Sequence, residues 1–448
     1  MEEGFALGQG RLSGTAMTSV QRFLFLQGVC SPFFRRLGHA LRDAGHYVRK
    51  VNFTVGDRIY WRAGNTVSYR GPMSQLSDFY RQEFDIHGIS DIILFGDCRP
   101  VHRPAIELAQ QRGIRVHVYE EGYFRPYWIT LERDGVNANS RLPRDPDWYR
   151  TEARHLPHFE NGRSFKTPFW KRAAYDVGYN FWAGLNPVLH RGVKSHVPYS
   201  PLTEYLGYLR RGMRVKVLER QSRRIEAKLI AEAAQHPYFL LPLQLDSDAQ
   251  IVHHSPFESM TDAMYQVLDS FAKATPSRYR LAVKIHPLDP GIVDYETLLK
   301  QRTRELGIAD RVFFLESGNL PALLTHTTGV VTVNSTVGSS ALIHGRATIA
   351  LGWAIYALAG LTFQGELDEF WTDHTLPDTK LFHNFRDSVI FHTQLNGGFY
   401  SAQSIEMAVE NSLKRLIVDA DPATMHDLSP SEIMISMRAT AAASSKPN

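Results

Sequence analysis

"ISDIILFGDCRPVHRPAIELAQQRGIRVHVYEEG", residues 89–122, holds two apolar runs on either side of an amphipathic stretch. "ISDIILFGD" predicts a strand ending in Asp97. "RPAIELAQQRG" predicts a helix, with Pro104 in its first turn and Gly113 at its end. "IRVHVYEEG" predicts a second strand, ending in Glu120, Glu121 and Gly122. Strand, helix and strand at this spacing build a parallel sheet with helices on both faces. Ligands of such sheets lie beyond the carboxyl ends of the strands, so the acidic strand ends fall on the expected functional edge.

The same alternation runs in both directions. Upstream, "RFLFLQG" reads as a strand, "SPFFRRLGHALRDAG" as a helix ending at Gly45, and "HYVRKVNF" as a strand. A second series begins near Phe239, with strands in "YFLLPLQLDSD", "YRLAVKIHPLD", "RVFFLES", "GVVTVNS" and "RATIALG". Two doubly wound domains in series predict an α/β, GT-B-like architecture of two Rossmann-type domains. The expected divisions are a leader over 1–20, an acceptor domain over 21–160, a helical segment over 161–235, a donor domain over 236–420, and a mostly disordered tail over 421–448.

At 448 residues the chain exceeds one ordinary core, which agrees with two domains. A net charge of +4 gives no reason to expect nucleic acid. Cys30 and Cys98 offer neither a disulfide framework nor a ligand cluster, suit a reducing cytoplasm, and read as small buried fillers. No apolar stretch is long enough to span a bilayer, so membrane association is expected to be peripheral. Between Arg163 and Lys228, however, fourteen Lys and Arg face four Asp and Glu, interleaved with Phe169, Trp170, Tyr175, Tyr179, Phe181 and Trp182. Basic side chains with interfacial aromatics suit an anionic lipid headgroup layer; the plainer reading is a solvated face of an inter-domain bundle.

Three constellations carry chemistry. Adjacent carboxylates in a half-dry pocket raise each other's pKa, which prepares one of Glu120 and Glu121 as a general base; Tyr123, Phe124, Tyr127 and Trp128 are expected to dry that pocket. His286 ends a strand, followed by Pro287 and preceded by Lys284, and suits a phosphate or a leaving group. "VNSTVGSS" brings Asn334, Ser335 and Thr336 to a helix N-terminus, an anion site without the spacing of a P-loop.

The order EEG, HP, ST resembles the motif set of bacterial CMP-sugar transferases, and more closely the KpsS/LipB capsule polysaccharide proteins. The matching stretches include "FLQGVCSPFFRRLGHAL", "NFTVGDRIYW", "YEEGYFRPYWITLE", "LQLDSDAQI", "KIHPLD" and "VNSTVGSSAL", across residues 22–365. The resemblance implies a retaining β-Kdo transferase that moves Kdo from CMP-β-Kdo to a lyso-phosphatidylglycerol and starts the poly-Kdo linker of a capsule. It implies a cytoplasmic enzyme peripheral to the inner membrane, with capsule assembly proteins, among them a KpsC-like transferase, as partners. Another GT-B transferase or epimerase, and a non-catalytic export partner, are the alternatives.

Retention asks for two inversions and so for a nucleophilic carboxylate. By the resemblance this is Asp248, with Asp246 as the second choice and the one expected to cap the following turn. Glu121, with Glu120 second, deprotonates the acceptor. His286 contacts the CMP phosphate, which Ser335 and Thr336 hold. Gly28 and Ser31 line the cleft, Asn52 and Asp57 face the acceptor, and Arg125 or Lys284 pairs with the Kdo carboxylate. Neither a metal nor a cofactor is implied.

Overall fold

Phe23, Leu24 and Phe25 are fully buried as consecutive residues, so both faces of their strand are covered. This pattern recurs along the first sheet, which is why its strands read as continuous apolar runs. In the computed structural model, described over residues 20–418 apart from 63, 160, 161, 185, 187–200, 247 and 248, that sheet takes β1 (Arg22–Phe25), β2 (Tyr47–Asn52), β3 (Thr66–Ser68), β4 (Asp91–Phe95), β5 (Arg115–Glu121) and β6 (Trp128–Arg133). Leu24, Ile92, Leu94, Val116 and Val118 pack on one face with Leu76, Tyr80 and Ala105. Phe23, Phe25, Ile93 and Tyr119 pack on the other with Phe33, Leu37 and Leu416.

The second sheet holds β7 (Tyr238–Pro242), β8 (Arg280–Lys284), β9 (Val312–Leu315), β10 (Gly329–Thr332) and β11 (Ala347–Ala350), all parallel, in the order β11-β10-β7-β8-β9. Every strand and helix predicted above in the two series is present, and the α/β class with two doubly wound sheets is the one expected.

The chain then returns. β12 (Gln394–Asn396) pairs antiparallel with β6, which completes a seven-stranded sheet in the order β12-β6-β5-β4-β1-β2-β3. The helix Ala402–Val418 buries Ile405, Ala408 and Leu416 against the Phe33–Asp43 helix side of that sheet. The donor domain expected over 236–420 therefore yields its last segment to the acceptor domain. The reason is apolar complementarity between residues nearly 400 apart, for which no local pattern gives a signal. The expected leader and tail lie outside the described residues.

A third apolar cluster joins the domains. Tyr123, Phe124 and Tyr149 pack with Leu342, Tyr356, Leu358, Phe382 and Phe385. Among the described residues, no helix is long and apolar enough to cross a membrane.

Candidate active site

β5 and β6 form an antiparallel hairpin in which Glu120 pairs with Thr130 and Glu121 with Ile129. Successive strand residues point to opposite faces, so the pleat sends the two side chains apart. Glu120 Oε1 turns back to accept the N–H of Glu121 at 2.9 Å. Glu121 Oε1 accepts the Tyr400 hydroxyl at 3.3 Å and lies 3.7 Å from Arg172 Nη2. The expected shared pocket for both carboxylates is thus replaced by one carboxylate, Glu121, held between a cation and a phenol. Gly122 is required by the hairpin, because a Cβ there would sit 2.1 Å from the Trp128 carbonyl oxygen.

The aromatics divide in the same way. Tyr123 and Phe124 do not wall the glutamates but enter the inter-domain cluster. All four aromatics nonetheless line one pocket of about 100 Å³ with Arg125, Thr336, Ser339 and Ser340, and Trp128 also packs against the inter-domain cluster. The wall beside Glu121 comes from Tyr400, whose ring carries the Arg172 guanidinium at 5.1 Å.

Tyr123 donates to Glu132 at 2.6 Å, and Ser140 donates to the same carboxyl group. Burial pushes Glu132 from 4.5 up to about 7 despite these donors. A carboxyl group with a raised folded pKa keeps its proton on folding while the unfolded chain has lost it. Stability therefore falls as pH rises from about 4.5 to about 7 and is level above, by about 3 kcal/mol for a shift of this size. Glu132→Gln removes that dependence, so the difference in unfolding free energy, variant minus wild type, is expected to grow across this window in urea titrations.

His286 follows β8. Its Nδ1 accepts the N–H of Leu288 at 3.1 Å. Burial, and then the charges of Arg125, Lys284, Arg172 and Arg211, push the imidazole down to about 4. The ring is neutral near pH 7, and with Nδ1 as acceptor its proton is on Nε2. It presents an N–H donor rather than the acid that could protonate a leaving group. Arg211 fixes this turn, since it donates to the carbonyl oxygens of Pro287, at 3.3 Å, and of Asp289 while paired with Glu316. Tyr208 donates to the Leu288 carbonyl at 2.9 Å.

Ser335 caps the Thr336–Ile343 helix, its hydroxyl accepting the Val337 N–H at 3.2 Å. Thr336 reaches the pocket that Arg125 enters. The two candidates for a carboxylate partner are thereby separated. Arg125 is exposed at the pocket, whereas Lys284 is buried with Nζ on the Ile285 carbonyl.

Other expected site residues have structural partners. Asn334 accepts from Gln244 Nε2 at 2.9 Å and donates to the His254 carbonyl at 2.8 Å, so it holds the donor loops rather than a ligand. Asp57 forms a capping box with Thr54 and accepts the Tyr179 hydroxyl at 3.1 Å. Asn52, by contrast, is fully buried with neither side-chain polar atom partnered among the described residues, and Ser31 turns its hydroxyl to the Phe33 N–H at 3.2 Å. Asp57 and Ser31, expected to face the acceptor and line the cleft, are thus engaged by neighbouring groups of the chain. Gly28 stays at the edge, with its carbonyl accepting from Arg99 at 3.2 Å. Asp246, expected to cap the turn that follows it, instead accepts the Met260 N–H at 3.0 Å, at the start of the Met260–Ala274 helix that Ser259 caps. Asp248 lies outside the described residues.

The basic segment has two fates. Its helix Phe169–Ala183 packs on the first domain through Tyr175 and Tyr179, and its helix Pro201–Ala231 brings Arg211 to the His286 turn. Trp170, Val177 and Phe181 remain exposed on the first helix, at spacings that put them on one face. Sequence reading missed Arg172, Arg211 and Tyr400. The arginines lay in a run of like residues, and Tyr400 arrives on the returning chain.

A family model described as capsule polysaccharide biosynthesis protein matches residues 90–400. The capsule polysaccharide export protein KpsS of Escherichia coli is 36% identical over 391 residues, covering 86% of this chain and 98% of that protein. The capsule polysaccharide modification protein LipB of Neisseria meningitidis serogroup B is 34% identical over 398 residues, covering 86% and 93%. Among solved structures, the β-Kdo 2,7 transferase KpsC of Thermosulfurimonas dismutans aligns over 88% of this chain and 99% of that one, with 14% identity and a TM-score of 0.42.

Proposed function

From a chain that belongs to the capsule polysaccharide biosynthesis family, we propose a glycosyltransferase that moves Kdo with retention from CMP-β-Kdo to a lyso-phosphatidylglycerol at the membrane surface. The observation that carries this reading is the cation-rich setting of His286, an N–H donor acted on by Arg125 and Arg172 from beyond its own domain. Such a setting suits a donor with one phosphate and a sugar carboxylate. His286 Nε2–H and the N-terminus of the Thr336–Ile343 helix bind the phosphate, and Arg125 pairs with the Kdo carboxylate. Asp248 attacks the anomeric carbon, CMP leaves, and the acceptor hydroxyl then displaces Asp248 while its proton passes to Glu121. Arg172 and Tyr400 hold the Glu121 carboxyl group in position for that proton.

The exposed face of Trp170, Val177 and Phe181, on the side of its helix opposite Arg172, is the surface that meets the membrane from which a lipid acceptor comes. Trp170→Ser with Phe181→Ser is expected to weaken co-sedimentation with anionic phospholipid vesicles by roughly tenfold or more, given the apolar area lost.

The decisive assay incubates pure protein with CMP-Kdo and lyso-phosphatidylglycerol and follows CMP release and lipid mass. A single Kdo increment supports the reading. Absence of both turnover and CMP binding overturns the donor assignment.

A further inference from the structure

Cys98 does not sit alone as a filler. Asp97 and Cys98 follow β4 in the first domain, and His254 belongs to the second; all three are more than nine-tenths buried. One ligand atom from each lies within 4.8 Å of the others, a grouping of His, Cys and acidic residues that stands outside the site described above. We infer that Asp97, Cys98 and His254 form a zinc site that clips the two domains together.

His254 Nε2 makes a 3.4 Å contact with Cys98 Sγ, short enough for a sulfur hydrogen bond, and stands 3.9 Å from Asp97 Oδ1, too far for one. Asn139 Nδ2 approaches the same sulfur at 3.8 Å. Tetrahedral zinc, with Zn–S near 2.3 Å and Zn–N and Zn–O near 2.0 Å, separates its ligand atoms by roughly 3.3–3.6 Å. Small side-chain movements close the observed spacing onto that geometry.

The surroundings hold the ligands in place. Asp97 spends its other oxygen on the Val136 N–H at 3.2 Å and the Asn139 amide at 2.9 Å, which leaves Oδ1 aimed at His254. His254 Nδ1 is buried without a hydrogen-bond partner, so no contact fixes a tautomer that would withdraw Nε2 from the ligand role. The His254 carbonyl accepts from Asn334 and from the Trp353 N–H at 3.1 Å, which anchors its backbone to the second domain.

Binding one Zn²⁺ displaces the Cys98 thiol proton to solvent and leaves thiolate and carboxylate to neutralise the ion. Together they outweigh the single charge of Arg103, which hydrogen-bonds the Cys98 side chain and reaches His253 at 3.4 Å. A soft thiolate with imidazole and carboxylate selects zinc over magnesium or calcium. Three protein ligands leave the fourth position to water. Because the ligands come from two domains, a bound ion ties the domains together and stabilises the folded chain.

The test uses the full chain, stripped with chelator and titrated with Co²⁺ as a visible probe. One equivalent is expected to give a thiolate-to-cobalt charge-transfer band with tetrahedral ligand-field bands, and Zn²⁺ is expected to displace it with a rise in Tm. Cys98→Ser should lose the charge-transfer band and bind at least tenfold more weakly; Cys30→Ser should behave as wild type. Saturable binding without the charge-transfer band, no saturable binding, or a band that survives Cys98→Ser overturns the site. Should Cys98→Ser not fold, the wild-type spectrum and its loss in His254→Gln decide.

Discussion

Asp248→Ala is expected to lower Kdo transfer by about 10⁴-fold or more, while CMP-Kdo still binds, because removing a nucleophile leaves the binding contacts in place. Asp246→Ala provides the contrast. Asp246 accepts the Met260 N–H and is 3.5 Å from the Tyr295 hydroxyl, so its loss leaves an N–H of that helix's first turn without its partner while Ser259 still caps it. That costs about 1 kcal/mol of stability and reduces turnover far less. Rates measured beside thermal unfolding separate the two. If Asp246→Ala abolished transfer in a folded protein and Asp248→Ala kept a tenth of the rate, the nucleophile would be reassigned.

Glu121→Gln is the second large effect, an expected fall in kcat of about 10²–10⁴-fold with the KM for CMP-Kdo little changed. Glutamine keeps the length of the side chain and a contact with Tyr400 but cannot take the acceptor proton. Glu120→Gln is the control. The Glu120 carboxyl group turns back to the Glu121 N–H, and an amide oxygen can replace it there. Equal losses in the two variants would mean that the carboxylates act on each other after all, contrary to the pleat that separates them. A fall in kcat/KM with unchanged kcat for Glu121→Gln would place Glu121 in substrate binding and remove it as the base.

The positions of His286 and Glu121 at strand ends, and of Thr336 at the start of the helix after a strand, needed only the alternation of strand and helix, because a doubly wound sheet delivers the carboxyl end of each strand to one edge. Which polar side chains at that edge are already engaged was not legible. Asp57 and Asn334 sit at that edge as well, but a capping box claims the first and Gln244 with the His254 carbonyl claims the second. A free and an engaged polar side chain look the same in a sequence, since the partner that claims the second can come from any distance along the chain.

Two doubly wound sheets, the carboxyl edges of their parallel strands, and the basic, aromatic segment between them were legible in the sequence. These follow from periodicity and strand ends, which are short-range properties of the chain. Tertiary structure alone decided that β12 and its following helix close the first sheet, and that Tyr400 and Arg172 hold Glu121. It alone separated Arg125 from Lys284, and it alone set His254 against Cys98. Each of these is a contact between residues far apart in sequence, fixed by which apolar surfaces fit and which buried polar groups find partners, and no local spacing encodes that choice.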